Sequence, residues 1–406
     1  MVPAAAAGTS LGEAGLRRVL ATLCVTEITS WGVLYYAFPV LLPEISAATG
    51  WSPVMLMAAF SAGQLVAALV GIPVGRVLDR RGPHAVMTAG SALAVPAVLA
   101  IATAPDPVWF CAAWLLAGAA MGAVLYPPAF AALTRWYGPR RVRALTVLTL
   151  AAGLASTVFA PLTAVLAAHL DWRGVYVVLA VVLAVVTVTG HAWGLRGPWP
   201  PPGTRAQARP GPPPDQVVRS RPFAALVAAF ALTSLATFAV VVNLVPLLSE
   251  RGVGTGTAAV ALGLGGAGQV LGRLGYAPLA RRFGVRARTV TVLAAVAVTT
   301  ALLGVLTSVA ALIAAAVVAG VARGILTLLQ ATAVTDRWGP AHYGRLTGVL
   351  SAPLTITVAL APWAGASLAA ALGGYSPMFL LLAALALAGS VLGLASVPTS
   401  PTERTP

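Results

Sequence analysis

Residues 196–222 read RGPWPPPGTRAQARPGPPPDQVVRSRP. This stretch is too polar and too rich in proline to cross a bilayer, and its composition predicts a locally extended, largely disordered linker. On either side the chain turns apolar. Upstream, hydrophobic runs fall at about 19–42, 53–74, 85–103, 108–133, 144–168 and 174–195; downstream, at about 223–248, 257–279, 289–307, 310–335, 346–370 and 377–397. A bilayer-crossing helix needs about 20 apolar residues, so each run is read as one span. Of the 406 residues 59% are hydrophobic and 9% charged, where a soluble domain carries about a quarter charged. Lipid must therefore solvate most of this chain. The expectation is an all-α membrane protein of twelve transmembrane helices in two six-helix bundles. Residues 1–18 form a tail, 19–195 the first bundle, 196–222 the linker, 223–397 the second bundle and 398–406 a second tail.

The formal net charge of +15 comes entirely from arginine, since the chain has no lysine. In a soluble protein such a charge would suggest nucleic-acid binding. Here the arginines track topology. Arg17, Arg18, the runs Arg76–Arg81 and Arg135–Arg143, Arg196–Arg221, Arg281–Arg288, Arg337, Arg345 and Arg404 all fall on one side. The other side has only Arg173 and Arg251, beside Glu44, Asp106, Asp171 and Glu250. The positive-inside bias places the Arg-rich side and both termini in the cytoplasm, giving a multi-pass protein of the bacterial inner membrane with the lipid bilayer, not nucleic acid, as its surroundings. Met1–Gly15 is rich in alanine and not basic, unlike a cleaved signal peptide. Cys24 and Cys111 fall in different runs and are expected as buried thiols without a disulfide.

Two classes are excluded by residues. There is no G-x-x-x-x-G-K-[ST] loop, so the chain is not an ATP-driven pump. No HExxH and no paired acids appear, and His84, His169, His191 and His342 fall at span ends or loops without ligand spacing. An enzyme has no chemistry to stand on, and neither cofactor nor metal is expected.

The two halves resemble each other. A shift of 202 residues carries Gly122 onto Gly324, Arg135 onto Arg337, Trp136 onto Trp338, Arg143 onto Arg345, Arg80 onto Arg282 and Gly82 onto Gly284. Parallel repeats of this kind place a substrate site between the halves.

The loop after the second run reads Gly75-Arg76-Val77-Leu78-Asp79-Arg80-Arg81-Gly82. It resembles the G-x-x-x-D-R-x-G signature of the major facilitator superfamily, in motif, position and side. That resemblance implies the major facilitator fold and a latch between the halves built from Gly75, Asp79, Arg80 and Gly82. In the second half Ala277 and Arg281 stand where the first glycine and the aspartate would be, which implies an asymmetric latch. The stretch SWGVLYYAFPVLLPEISAATGWS (30–52), Tyr126-Pro127-Pro128 with Arg135-Trp136-Tyr137, and Gly272-Arg273 are similar to the monocarboxylate-porter and oxalate/formate-antiporter branch. There the arginine of the eighth helix binds a substrate carboxylate.

Ionisable residues inside spans are rare and costly. Three occur: Glu27, Arg273 and Arg323. Arg273, about six residues from the end of the eighth run, is a carboxylate clamp or a brace for the adjoining loop. Arg323, in the middle of the tenth, lies beyond snorkelling reach and faces a cavity or a structural ion pair. Glu27 is a proton-coupling acid or a static partner of one of these arginines. Tyr35, Tyr36, Tyr126, Asn243, Gln269 and Gln330 are further substrate-binding candidates and Gln64 a further polar one; such residues also bridge helices, and Trp31 is read as packing. The expected function is secondary active transport by alternating access, proton-coupled, of a small organic anion such as a monocarboxylate, by a monomer. The alternative is proton-coupled efflux of hydrophobic or cationic drugs with Glu27 as the coupling acid.

Overall fold

A computed structural model describes residues 11–199, 213–339 and 343–398. All regular structure among them is helical. The long helices are α1 Glu13–Thr49, α2 Pro53–Arg81, α3 Pro83–Ala102, α4 Pro107–Tyr137, α5 Arg141–Ala167 and α6 Trp172–Gly194. After the linker come α7 Arg221–Glu250, α8 Thr255–Arg282, α9 Val285–Val305, α10 Val309–Trp338, α11 Tyr343–Leu372 and α12 Tyr375–Leu394. Eleven of them are long and apolar enough to cross a membrane. The exception is α8, whose 28 residues rise about 42 Å but include seven glycines, Gln269 and Arg273. The expected disorder of the linker falls mainly on residues outside those described. Its end is ordered as a helical turn, Pro214–Val218, with Val217 buried.

The chain divides into two compact units, residues 1–204 with 252–263 and residues 205–251 with 264–406. The first turns of α8 thus cluster with unit one, where the Thr157 hydroxyl donates to the Gly263 carbonyl at 2.8 Å.

Each unit contains the same close helix crossing. In unit one α2 packs on α4, and a methyl group placed on Gly122 would come within 2.8 Å of the Ala67 carbonyl oxygen and 3.3 Å of the Gly71 nitrogen. In unit two α8 packs on α10, and a methyl on Gly324 would come within 2.1 Å of the Gln269 carbonyl and 3.1 Å of the Arg273 nitrogen. Ala67, Gly71 and Gly122 map onto Gln269, Arg273 and Gly324 by the same shift of 202. Small residues let backbones approach where lipid offers no hydrophobic drive.

The Arg-poor ends explain why two arginines lie there. In unit one Arg173 donates to the Ala102 and Ala104 carbonyls at 2.7 and 2.8 Å. In unit two Arg251 donates to the Leu306 carbonyl and, at 2.6 Å, to that of Gly304. The same shift of 202 carries Ala102 onto Gly304 and Ala104 onto Leu306, so the two arginines cap matched carbonyls, though they come from different loops. Carbonyls at a helix C-terminus lack partners and attract cations. Burial lowers the pKa of the Arg251 guanidinium, and Glu250 partly offsets this. Glu44 and Glu250 accept from the first amides of α6 and α12, Trp172 at 2.8 Å and Tyr375 at 3.0 Å.

One expectation is corrected. Cys24 and Cys111 are free but half-buried. His191, in the last turn of α6 as expected, is not exposed there: it is fully buried, with Nδ1 2.6 Å from the Ser91 hydroxyl and Nε2 2.9 Å from that of Thr26.

Candidate functional site

In unit one the candidates converge on α1 and α4. Glu27 is fully buried. Neither of its carboxylate oxygens has a hydrogen-bond partner at normal geometry among the described residues. Glu27, Trp31 and Tyr35 are spaced by four, which sets them on one helical stripe. Above Trp31 the helix loosens into a π-turn, Gly32–Tyr36, a device common at functional sites. Gly32 is required there, because a methyl would meet the Phe159 ring at 2.1 Å.

The second contributor is α4, which is broken. Leu125 is extended, with φ −85° and ψ −169°, and Tyr126 opens a new helical segment. Pro127 and Pro128 pre-set the helical φ of its first turn and lack the N–H donors that a first turn leaves orphaned. The break brings Tyr126 to 5.1 Å from Trp31, ring to ring. Trp31 in turn lies 5.4 Å from Tyr35, and Tyr35 5.2 Å from Tyr36. Trp31, read from sequence as packing, links Tyr126 of α4 to Tyr35 of α1.

In unit two Arg273, Arg323 and Gln269 are at most 9% exposed. Their backbones meet at the α8–α10 crossing: Gly324 abuts Gln269 and Arg273, and Gly272 abuts Val321. Helix α8 runs on to Arg282, so Arg273 lies nine residues from its end, roughly 13 Å at helical rise. Two other candidates stand apart. Gln330 donates to the Ser234 hydroxyl at 2.9 Å, bridging α10 to α7. Asn243 donates to its own helix at Ala239 and packs against Gly365 of α11. The acids Glu250 and Asp336 are engaged elsewhere, Glu250 at the Tyr375 amide and Asp336 with Arg288.

The motif loop of unit one sits at the end of α2. Arg135 of α4 donates to the Asp79 carbonyl at 3.0 Å, while the Asp79 carboxylate lies 3.7 Å away and is 77% exposed. Gly82 has φ +79°, a conformation that favours glycine. Gly75 has open space around it, and Arg80 is exposed. In unit two Arg281 replaces Asp79, and the acid has moved to Asp336, the counterpart of Thr134. Asp336 pairs with Arg288, whose guanidinium lies 5.5 Å from the Tyr276 ring. In unit two the carboxylate thus stands at Asp336 and not at the counterpart of Asp79.

Among the described residues no group of His, Cys, Asp and Glu could hold a metal ion.

The family model described as Major Facilitator Superfamily matches residues 23–310 and, overlapping it, 261–406. Among curated proteins, monocarboxylate transporter 13 of Bos taurus is 26% identical over 249 residues, 61% of this chain and 56% of that protein. An uncharacterized 38 kDa protein in the 23S RNA operon of Thermoproteus tenax is 31% identical over 129 residues, 32% of this chain and 34% of that one. The chain thus spans about half and a third of the lengths of these relatives. Among solved structures, a bacterial homolog of the human lysosomal transporter Spinster, inward-facing and unoccupied, matches with a TM-score of 0.75 at 14% identity, over 95% of this chain and 98% of that one. The nucleoside transporter NupG matches with a TM-score of 0.74 at 13% identity, over 94% and 99%. At such identities the likeness concerns the fold alone. The family model, however, covers nearly the whole sequence: the chain belongs to the Major Facilitator Superfamily and is a membrane transporter, not an enzyme.

Proposed function

We propose that this transporter carries a small organic anion, a monocarboxylate, across the bacterial plasma membrane by alternating access, driven by a proton gradient. It crosses twelve times, α8 included, with both termini cytoplasmic. One observation carries the anion reading: the α8–α10 crossing of unit two bears Arg273, Arg323 and Gln269 where the matched crossing of unit one bears Gly71, Met121 and Ala67. Two guanidinium groups were thus built into one copy of a repeated element, at depths where burying charge is costly. Planar guanidinium forks suit a carboxylate. The similarity to a monocarboxylate transporter supports the same class.

Uptake of labelled lactate into proteoliposomes under an inward proton gradient tests this. Wild type accumulates the acid, and Arg273→Gln does not. A second reading rests on Glu27, fully buried beneath an aromatic cluster in unit one: efflux of a hydrophobic cation against protons. If neither protein takes up lactate, and Glu27→Gln abolishes drug resistance in cells, efflux replaces uptake as the function.

A further inference from the structure

The segment leaving α6 lies against the motif loop. Because α2 ends at Arg81, the Asp79 carbonyl is among the terminal carbonyls without a partner in their own helix. Two side chains donate to it: Arg135 at 3.0 Å and the Trp199 indole at 3.2 Å. The Trp199 ring also lies 4.6 Å from the Arg135 guanidinium, a cation–π distance, and 5.4 Å from the Trp136 ring, edge to face. The Trp136 indole closes the assembly by donating to the Pro198 carbonyl at 3.0 Å. Gly82 leaves room for the Trp199 ring, since a methyl there would come within 3.2 Å of it. By contrast the exposed Asp79 carboxylate, at 3.7 Å from Arg135, makes the kind of surface ion pair that contributes little.

Unit two repeats the arrangement with different chemistry. Arg337, the counterpart of Arg135, donates to the Ser396 carbonyl at 2.8 Å and to the Ser396 hydroxyl at 3.0 Å. Ser396 follows α12 as Trp199 follows α6. In both units the segment leaving the last helix therefore tethers the arginine at the end of the fourth.

We propose that Trp199 is a positioning residue for transport: it holds the Arg135 guanidinium on the end of α2 and so ties the first linker residues to the motif loop. The tether acts through Arg135 and touches no substrate. It follows that the start of the linker is part of the latch, and that loosening it changes how readily the loop rearranges during the transport cycle rather than how substrate binds.

Hydrogen–deuterium exchange of the full chain in nanodiscs tests this without any substrate. Trp199→Ala raises exchange several-fold in peptides covering 79–84 and leaves those covering 281–286 unchanged. Trp199→Phe keeps the ring under the guanidinium, loses the indole donor, and gives a smaller rise. If Trp199→Ala does not fold, the Phe variant alone decides. No rise at 79–84, or a rise spread evenly over unit one, overturns the proposal. In lactate uptake the Ala variant lowers Vmax with KM unchanged, and the Phe variant restores most of the rate; a change confined to KM also overturns it. The proposal rests on the family and not on the substrate: loss of lactate uptake in wild type would sink the anion reading and leave the exchange experiment intact.

Discussion

Arg323 occupies the position that the repeat fills with Met121 in unit one, which makes the reverse substitution an informative test. A buried guanidinium at a helix centre costs about 2.5–3.5 kcal/mol on insertion scales, whereas methionine is apolar and adaptable. Arg323→Met removes that cost and the charge together. The expected outcome is a melting temperature equal to or above that of wild type, with lactate uptake lower by about 10–100-fold, the span given by losing one charge-assisted hydrogen bond of about 1.5–3 kcal/mol. Uptake at wild-type rate with the same stability would remove Arg323 from the site. At Arg273, lysine keeps the charge and loses the fork, so Arg273→Lys should retain folding and raise KM more than it lowers Vmax. The three intramembrane charges were legible in the sequence because charge in an apolar run is conspicuous. The tethering role of Trp199 was not, because no local pattern marks a tryptophan in a proline-rich stretch as a partner for an arginine 64 residues upstream.

The helices show a similar divide between what pattern reveals and what packing decides. Spans, charge bias and repeat follow from composition, which the bilayer constrains tightly. Two internal features do not. The break in α4 had a local signal, since Pro127 and Pro128 lack the N–H donors that would continue the preceding helix and suit a fresh helix start. The π-turn of α1 had none: it is set where Gly32 meets Phe159. Helix α1 also begins at Glu13, six residues before its apolar run, because a polar turn can extend a helix beyond the lipid. The glycine crossings allow a direct test of packing. A methyl on Gly324 would overlap the Gln269 carbonyl at 2.1 Å, while one on Gly75 meets nothing within 4 Å. Gly324→Val should therefore destabilise unit two by about 1–3 kcal/mol or more, seen as a lower melting temperature and poor folded yield. Gly75→Ala, in an exposed helical position, should gain about 0.5–1 kcal/mol and leave folding intact. Equal melting temperatures for the two variants would show that the crossing yields more readily than its contacts suggest.

At the scale of the molecule, each unit meets the same requirement with different residues. Both must satisfy the final carbonyls of their third helix at the Arg-poor end, and both use an arginine to do so. Arg173 reaches back from the start of α6, and Arg251 comes from the turn after α7. The sequence therefore shows two apparent exceptions to the positive-inside bias without showing that they share a cause, since the shift of 202 does not align them. If the two arginines are equivalent caps, removing either should cost the same. Each makes two hydrogen bonds from a charged group to carbonyls, worth about 1.5–3 kcal/mol apiece before non-additivity. Arg173→Gln and Arg251→Gln should thus lower the melting temperature of the purified protein by similar amounts and leave its orientation in the membrane unchanged, as read by cysteine labelling of the two faces. Inversion of topology in either variant would mean that the arginine acts on insertion rather than on the folded helix end, and a loss confined to one variant would break the equivalence on which the shared capping role depends.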